Sequence, residues 1–317
     1  MNANRASATA RLIAAATVMR HHARTPRTSA PAGAASWCER FLSTSCADRL
    51  LLWSVKSPPG KAWWRFAQSI AVPGIVSHWM RRKRRVDQLV RRAAVEGFTQ
   101  LIVLGAGLDT LAFRLAHERL FEGVISADHP ATLAVVRTAT ARNGARSVCR
   151  PPDIVPSRPS ADMSEARDPE LLSLDLTGED ACTALTKSDT FDATRATVVV
   201  VEGVLMYLQA QAVADLLRSL ANLPTPRIRL IASWMIAEPG QPIGFVGQSR
   251  LLAGWLRRRG EPMLWGSTPS ALPAFLAGLG WGDAQLIDLA EEISGNSKGF
   301  CGPVGEQLVL IEKGGMG

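Results

Sequence analysis

Short apolar runs alternating with helical patterns constrain this chain more than any other feature. The runs are LIVLGAG at 101–107, GVISAD at 123–128, LLSLDL at 171–176, ATVVVVEG at 196–203 and RIRLIASW at 227–234. Each is too short for a stable helix and nearly uniform in hydrophobicity, as a strand covered on both faces is. Between them, Val86, Leu89, Val90, Ala93 and Ala94 recur at helical spacing, and so do Val213, Leu216, Leu217 and Leu220. Residues 111–120 and 130–142 also read as helices. Strand and helix in alternation predict a parallel α/β sheet with helices on both faces. Residues 284–289 and 306–311 close the chain without long crossover helices, which predicts an antiparallel edge pair.

Length and composition narrow the class. With 317 residues, 47% of them apolar, the chain can bury a sizeable core. No apolar run reaches the roughly 20 residues of a membrane span, so no membrane partner is expected. Five cysteines without CxxC spacing argue against a disulfide framework and a metal site, and fit a reducing, cytoplasmic setting. The net charge of +8 first points to nucleic acid. Its distribution points elsewhere. Residues 1–36 hold five arginines and no acid, and residues 81–92 hold seven cations against Asp87, so the remainder is net acidic. Residues 1–36 read as a disordered tail, rich in Ala, Arg, Ser and Thr. The aromatic-rich stretch 37–85 reads as short helices that could cap a neighbouring pocket.

In an open α/β sheet, ligands bind beyond the carboxyl ends of the strands. Four acids fall there: Asp109, Asp128, Asp175 and Glu202. Gly105 and Gly107 form a GxG turn after the first strand, where a missing Cβ lets backbone approach a ligand. A dinucleotide fingerprint needs a third glycine at position 110, where Thr110 stands. Asp109 would also repel a pyrophosphate at the helix start. Asp128 follows Gly107 at the distance where an acid takes two ribose hydroxyls. The ligand then looks like a nucleoside without phosphate and with a cationic or zwitterionic tail, as S-adenosyl-L-methionine is. Each acid has a plainer reading. Asp109 could simply cap a helix, Asp175 could be a surface acid, and Glu202, after an apolar run, needs a partner in any case.

Four segments, VLGAGLDTLAFRLA (103–116), SADHP (126–130), LSLDL (172–176) and VVVEGVLMYL (199–208), resemble the leucine carboxyl methyltransferase family. That family includes the tetracenomycin-type polyketide O-methyltransferases. The resemblance continues through 259–281 and spans about 80–315. It implies a Rossmann-like class I methyltransferase sheet, mostly parallel with an antiparallel C-terminal strand, helices on both faces and an N-terminal helical cap. Residues 37–317 would form one domain: the cap (37–85), a cofactor-binding core (86–235) and a C-terminal completion of the sheet (236–317). By the same resemblance, Gly105, Gly107 and Asp109 contact the methionine end and Asp128 holds the ribose. Asp175 and Leu176 bracket the adenine, Glu202 lies near the amino group or sulfonium, and Tyr207 lies near the transfer site. Arg82, within an RxRxxD-like helix start, would bind the cofactor carboxylate.

The expected activity is S-adenosylmethionine-dependent O-methylation of a small natural-product-like acceptor. A carboxylate, ionised at neutral pH, needs no base, whereas a phenol would want one. No histidine follows the fourth strand, which favours the carboxylate; His78 reads as structural. The competing readings are a methyltransferase acting on RNA or on a protein carboxylate, a nucleic-acid-binding module, a nicotinamide-dependent oxidoreductase and an inactive paralogue.

Overall fold

A computed structural model describes residues 6–21, 29–141, 167–237, 240–287, 289 and 305–314. Seven strands form one sheet: β1 (Gln100–Leu104), β2 (Gly123–Asp128), β3 (Glu170–Ser173), β4 (Thr197–Val201), β5 (Arg227–Met235), β6 (Ala284–Ile287) and β7 (Glu306–Gly314). Their order is β3-β2-β1-β4-β5-β7-β6. The first five are parallel, and β7 runs antiparallel between β5 and β6. The expected mostly parallel sheet with an antiparallel C-terminal strand is therefore present. Of the Pro-rich stretch 151–170, expected to be irregular, residues 151–166 lie outside the described residues, and Glu170 opens β3.

Alternation along the buried strands feeds two cores. Ile102, Leu104, Val199 and Val201 face one side of the sheet, where Val213, Leu216, Leu217 and Leu220 of α9 (Ala210–Ala221) pack. Leu101, Val103, Val198 and Val200 face the other, against Val86, Leu89, Val90 and Ala93 of α5 (Ile75–Val95). With both faces covered, a strand needs no polar side, which is why these segments read as continuous apolar runs.

Helices α1 (Ala8–Arg20), α2 (Ala34–Phe41), α3 (Cys46–Lys56) and α4 (Pro58–Ala71) build the cap. Two sequence expectations are corrected here. Residues 8–20, assigned to a disordered tail, form α1 and bury Ala14, Ala15, Ala16, Thr17 and Val18. Alanine propagates helix well but gives little amphipathic contrast, so periodicity missed it. Its small side chains let α1 pack closely against α2 and α3. The arginine cluster does not begin a helix either. Helix α5 starts at Ile75, so Arg81–Arg85 lie mid-helix, clear of the positive end of the dipole.

Candidate functional site

The chain changes direction between β1 and β4, and this switch point is where an open sheet leaves a crevice. A cavity of about 320 Å³ lies there. All nine residues singled out from the sequence line it: Arg82, Gly105, Gly107, Asp109, Asp128, Asp175, Leu176, Glu202 and Tyr207.

The turn after β1 requires its glycines. Gly105 and Gly107 have φ of 61° and 59°. A Cβ on Gly105 would collide with the Val204 side chain, and one on Gly107 would stand 3.1 Å from the Ala10 Cβ of α1. At the end of β2, Asp128 is buried and takes N–H bonds from Gly107 and His129, one on each carboxylate oxygen. Burial raises its pKa above the ordinary carboxylate range despite those bonds. Asp128 also lines the cavity, and a carboxylate has acceptor capacity beyond these two bonds, so it can accept from a vicinal diol. Asp175, just past β3, closes a local turn with the Thr177 N–H and hydroxyl.

Beyond the turn, ionic contacts run in a chain. Glu306 contacts both His78 (Nε2, 2.7 Å) and Arg82 (Nη1, 2.7 Å). Arg82 Nε donates to Glu202 at 2.9 Å. Lys83 Nζ lies 3.5 Å from Glu202 and donates to Asp109. Asp109 also accepts the N–H groups of Thr110 and Leu111, so it caps α6 (Leu111–His117) while it pairs with Lys83. Burial works against every charge here, yet each has an opposite partner. Desolvation alone would lift the Glu306 carboxyl; Arg82 and His78 bring it down to about 2. The Asp109 carboxyl is likewise lowered, chiefly by Lys83 against burial. Arg82 and Lys83 are both raised by their acids despite desolvation.

Arg82, expected to hold an incoming carboxylate, thus sits between Glu202 and Glu306. Lys83 and Glu306 were missed from the sequence. Lys83 stands in a run of five cations and nothing in the run distinguishes it. Glu306 did carry a signal. It opens β7 opposite Met235, the last residue of β5. The start of an antiparallel strand shares the sheet edge where parallel strands end. Asp87 of the RxRxxD pattern is not in the cavity wall; it pairs with Arg91 and Arg114 and ties α5 to α6.

The other end of the cavity is apolar. Leu12 and Ile13 of α1, Trp64 of α4, Trp79 of α5, Phe245 and Met263 line it. Helix α1 closes over it, held by Glu261, which accepts the Ala8 and Thr9 N–H groups at 2.7 and 3.0 Å. Tyr207, in the 3-10 turn after β4, is half-buried and lies beside Thr9. Burial and the Glu261 charge push its phenol to about 12, so it is neutral at pH 7.

A sequence profile of the leucine carboxyl methyltransferase family matches residues 14–221. The chain belongs to this family. The profile starts well before residue 80, so the family pattern includes the cap helices. A Frankia alni protein named "Putative S-adenosyl-L-methionine-dependent methyltransferase" is 31% identical over 66% of this chain and 71% of its own length. A Mycolicibacterium paratuberculosis protein of the same description is 33% identical, over 47% of this chain and 41% of its own length. The chain thus matches less than half of the latter relative. A Thermobifida fusca structure described as a "putative methyltransferase" superposes with a TM-score of 0.54 at 16% identity, covering 81% of this chain and 89% of that one. That likeness establishes the class I methyltransferase fold. The names of these relatives give S-adenosyl-L-methionine as the cofactor they depend on. The site fits it: glycines that keep the turn open, a buried acid for a diol, and paired charges of both signs for a zwitterion.

Proposed function

We propose that the protein is an S-adenosylmethionine-dependent O-methyltransferase acting on a small, largely apolar acceptor, with a carboxylate as the methylated group. One observation carries this reading: a single cavity joins the strand-end acids to an apolar chamber closed by α1. When bound, the cofactor supplies an electrophilic methyl on a sulfonium.

The chain's own residues bind and align. Asp128 would take the ribose hydroxyls, and Asp175 with Leu176 would flank the adenine. Gly105, Gly107 and Asp109 would border the methionine end. Arg82 and Lys83 would offer cations to its carboxylate, while Glu202 faces its ammonium. The zwitterionic amino-acid end can enter the paired network by exchanging partners and adds no net charge there; the sulfonium is the cofactor's one unbalanced charge. Leu12, Ile13 and Trp79 would keep water from the reacting atoms.

Among the described residues, no group lining the apolar end is fit to act as a base. Tyr207 is neutral at pH 7, and His129, the histidine among the described lining residues, sits beside Asp128. An acceptor already ionised at neutral pH suits such a site. Calorimetry with S-adenosylhomocysteine tests the cofactor assignment, and no binding by the folded protein would refute it. A methyl-transfer screen over aliphatic and aromatic carboxylic acids and matched phenols tests the acceptor. Turnover of phenols alone would overturn the carboxylate.

A further inference from the structure

The α3–α4 hairpin breaks a rule that its neighbours keep. Helices α5 and α9 turn their apolar stripes onto the sheet. Helix α4 turns one outward: Trp63, Phe66 and Ile70, at i, i+3 and i+7, are 61%, 64% and 48% exposed. On α3, Leu50 and Trp53 are exposed as well. The hairpin holds this face firmly. Gly60 passes so close to α3 that an added Cβ would run into the Ser54 carbonyl, and Trp64 Nε1 donates to Ser54 Oγ at 3.1 Å. Contiguous apolar surface of this kind marks an interaction site.

Cations border it. Residues 57–71 carry Lys61 and Arg65 and no acid; residues 246–260 carry Arg250, Arg257, Arg258 and Arg259 and no acid. The second group belongs to α10 (Arg250–Arg259), which also exposes Leu251. Arg257–Arg259 suit a helix C-terminus, but Arg250 in the first turn opposes the dipole. The end of α4 meets the start of α10, where the Ser249 N–H donates to the Ala71 carbonyl at 2.9 Å. Both reach the cavity, α4 through Trp63 and Ala67, α10 through Leu252 and Trp255.

We infer that α3, α4 and α10 form a docking face for the surface of an anionic lipid bilayer, set beside the cavity mouth. Exposed Trp, Phe, Ile and Leu would enter the headgroup boundary, and the acid-free cationic border would meet anionic headgroups. No helix among the described residues is long and apolar enough to cross a membrane, so this face lies on the bilayer. A second copy of the chain fits less well, because a twofold contact here would bring the cationic borders together. The position of the face gives a lipophilic acceptor a short path into the cavity. That consequence rests on the methyltransferase reading; the docking itself does not.

Flotation of the full chain with vesicles tests the inference. Vesicles of phosphatidylcholine with phosphatidylglycerol should carry the protein at low salt, and phosphatidylcholine alone should not. High salt should release it. The triple variants W53S/F66S/I70S and R257E/R258E/R259E should each lower partitioning at least about tenfold. Both should keep the wild-type melting temperature and S-adenosylhomocysteine affinity. Failure of the wild type to float with anionic vesicles, or wild-type flotation of both variants, overturns the inference. So does light scattering that shows a dimer split by W53S/F66S/I70S. Loss of S-adenosylhomocysteine binding with flotation intact would instead count against the methyltransferase reading.

Discussion

The two ends of the cavity are built on opposite principles. At the strand ends, polar groups are buried and nearly every one has a charged or backbone partner. At the cap end, side chains are apolar and come from helices distant in sequence, α1, α4, α5 and α10. The first end loses heavily when one member is removed, because a buried charge is then stranded. The second tolerates exchange of apolar volume and is free to fit one acceptor or another. A scaffold of this design keeps its cofactor while its acceptor changes.

The largest effect expected from this contrast is at Glu306. Glu306→Gln leaves Arg82 short of one carboxylate in a buried setting and should cost about 3–5 kcal/mol in chemical denaturation. A loss below 1 kcal/mol would show that the strand-end network is loosely coupled. Next comes Asp128→Ala. It should weaken S-adenosylhomocysteine about 10- to 100-fold by calorimetry, the worth of charged hydrogen bonds to a diol. It also leaves the Gly107 and His129 N–H groups without their acceptor, so a loss of about 1–3 kcal/mol in folding stability should accompany it. Unchanged affinity would remove Asp128 from the ribose site.

The same two acids differ in pH response. Asp128 titrates above the ordinary carboxylate range, so cofactor affinity should fall first as pH drops through that raised value. Glu306 is depressed, so its contribution to folding is complete above its ordinary value and is lost only as pH falls toward about 2. Binding should therefore fail at a higher pH than the Glu306 network does, and parallel calorimetry and circular dichroism would see it. Coincident loss would contradict the assignment.

Smaller effects belong to the cap end. Trp79→Leu should raise the acceptor KM several-fold, by about 1 kcal/mol, and leave S-adenosylhomocysteine affinity unchanged. Glu261→Gln should loosen the N-terminal turn of α1 by about 1 kcal/mol and speed amide exchange there without shifting the global transition. Global destabilisation would show that the first turn of α1 opens only together with the rest of the fold.

Residues 101–107 and 196–203 were legible because buried parallel strands must be apolar throughout and must end where ligands bind. Their glycines and acids carried the site with them. The partners of those acids were not legible. Arg82 and Lys83 sit in a row of five cations, and Glu306 lies more than 200 residues away. Helix α1 was hidden for another reason: its alanines are buried by close packing, a property of the surfaces it meets and not of its own pattern.

The sequence by itself determined the parallel sheet, the glycine turn and the carboxylates at its edge, because these follow from local periodicity and backbone conformation. The tertiary structure decided which cation meets which acid, that the first helix closes the chamber and that an apolar face stays outside. Those outcomes depend on distances between segments remote in the chain, and no local pattern encodes them.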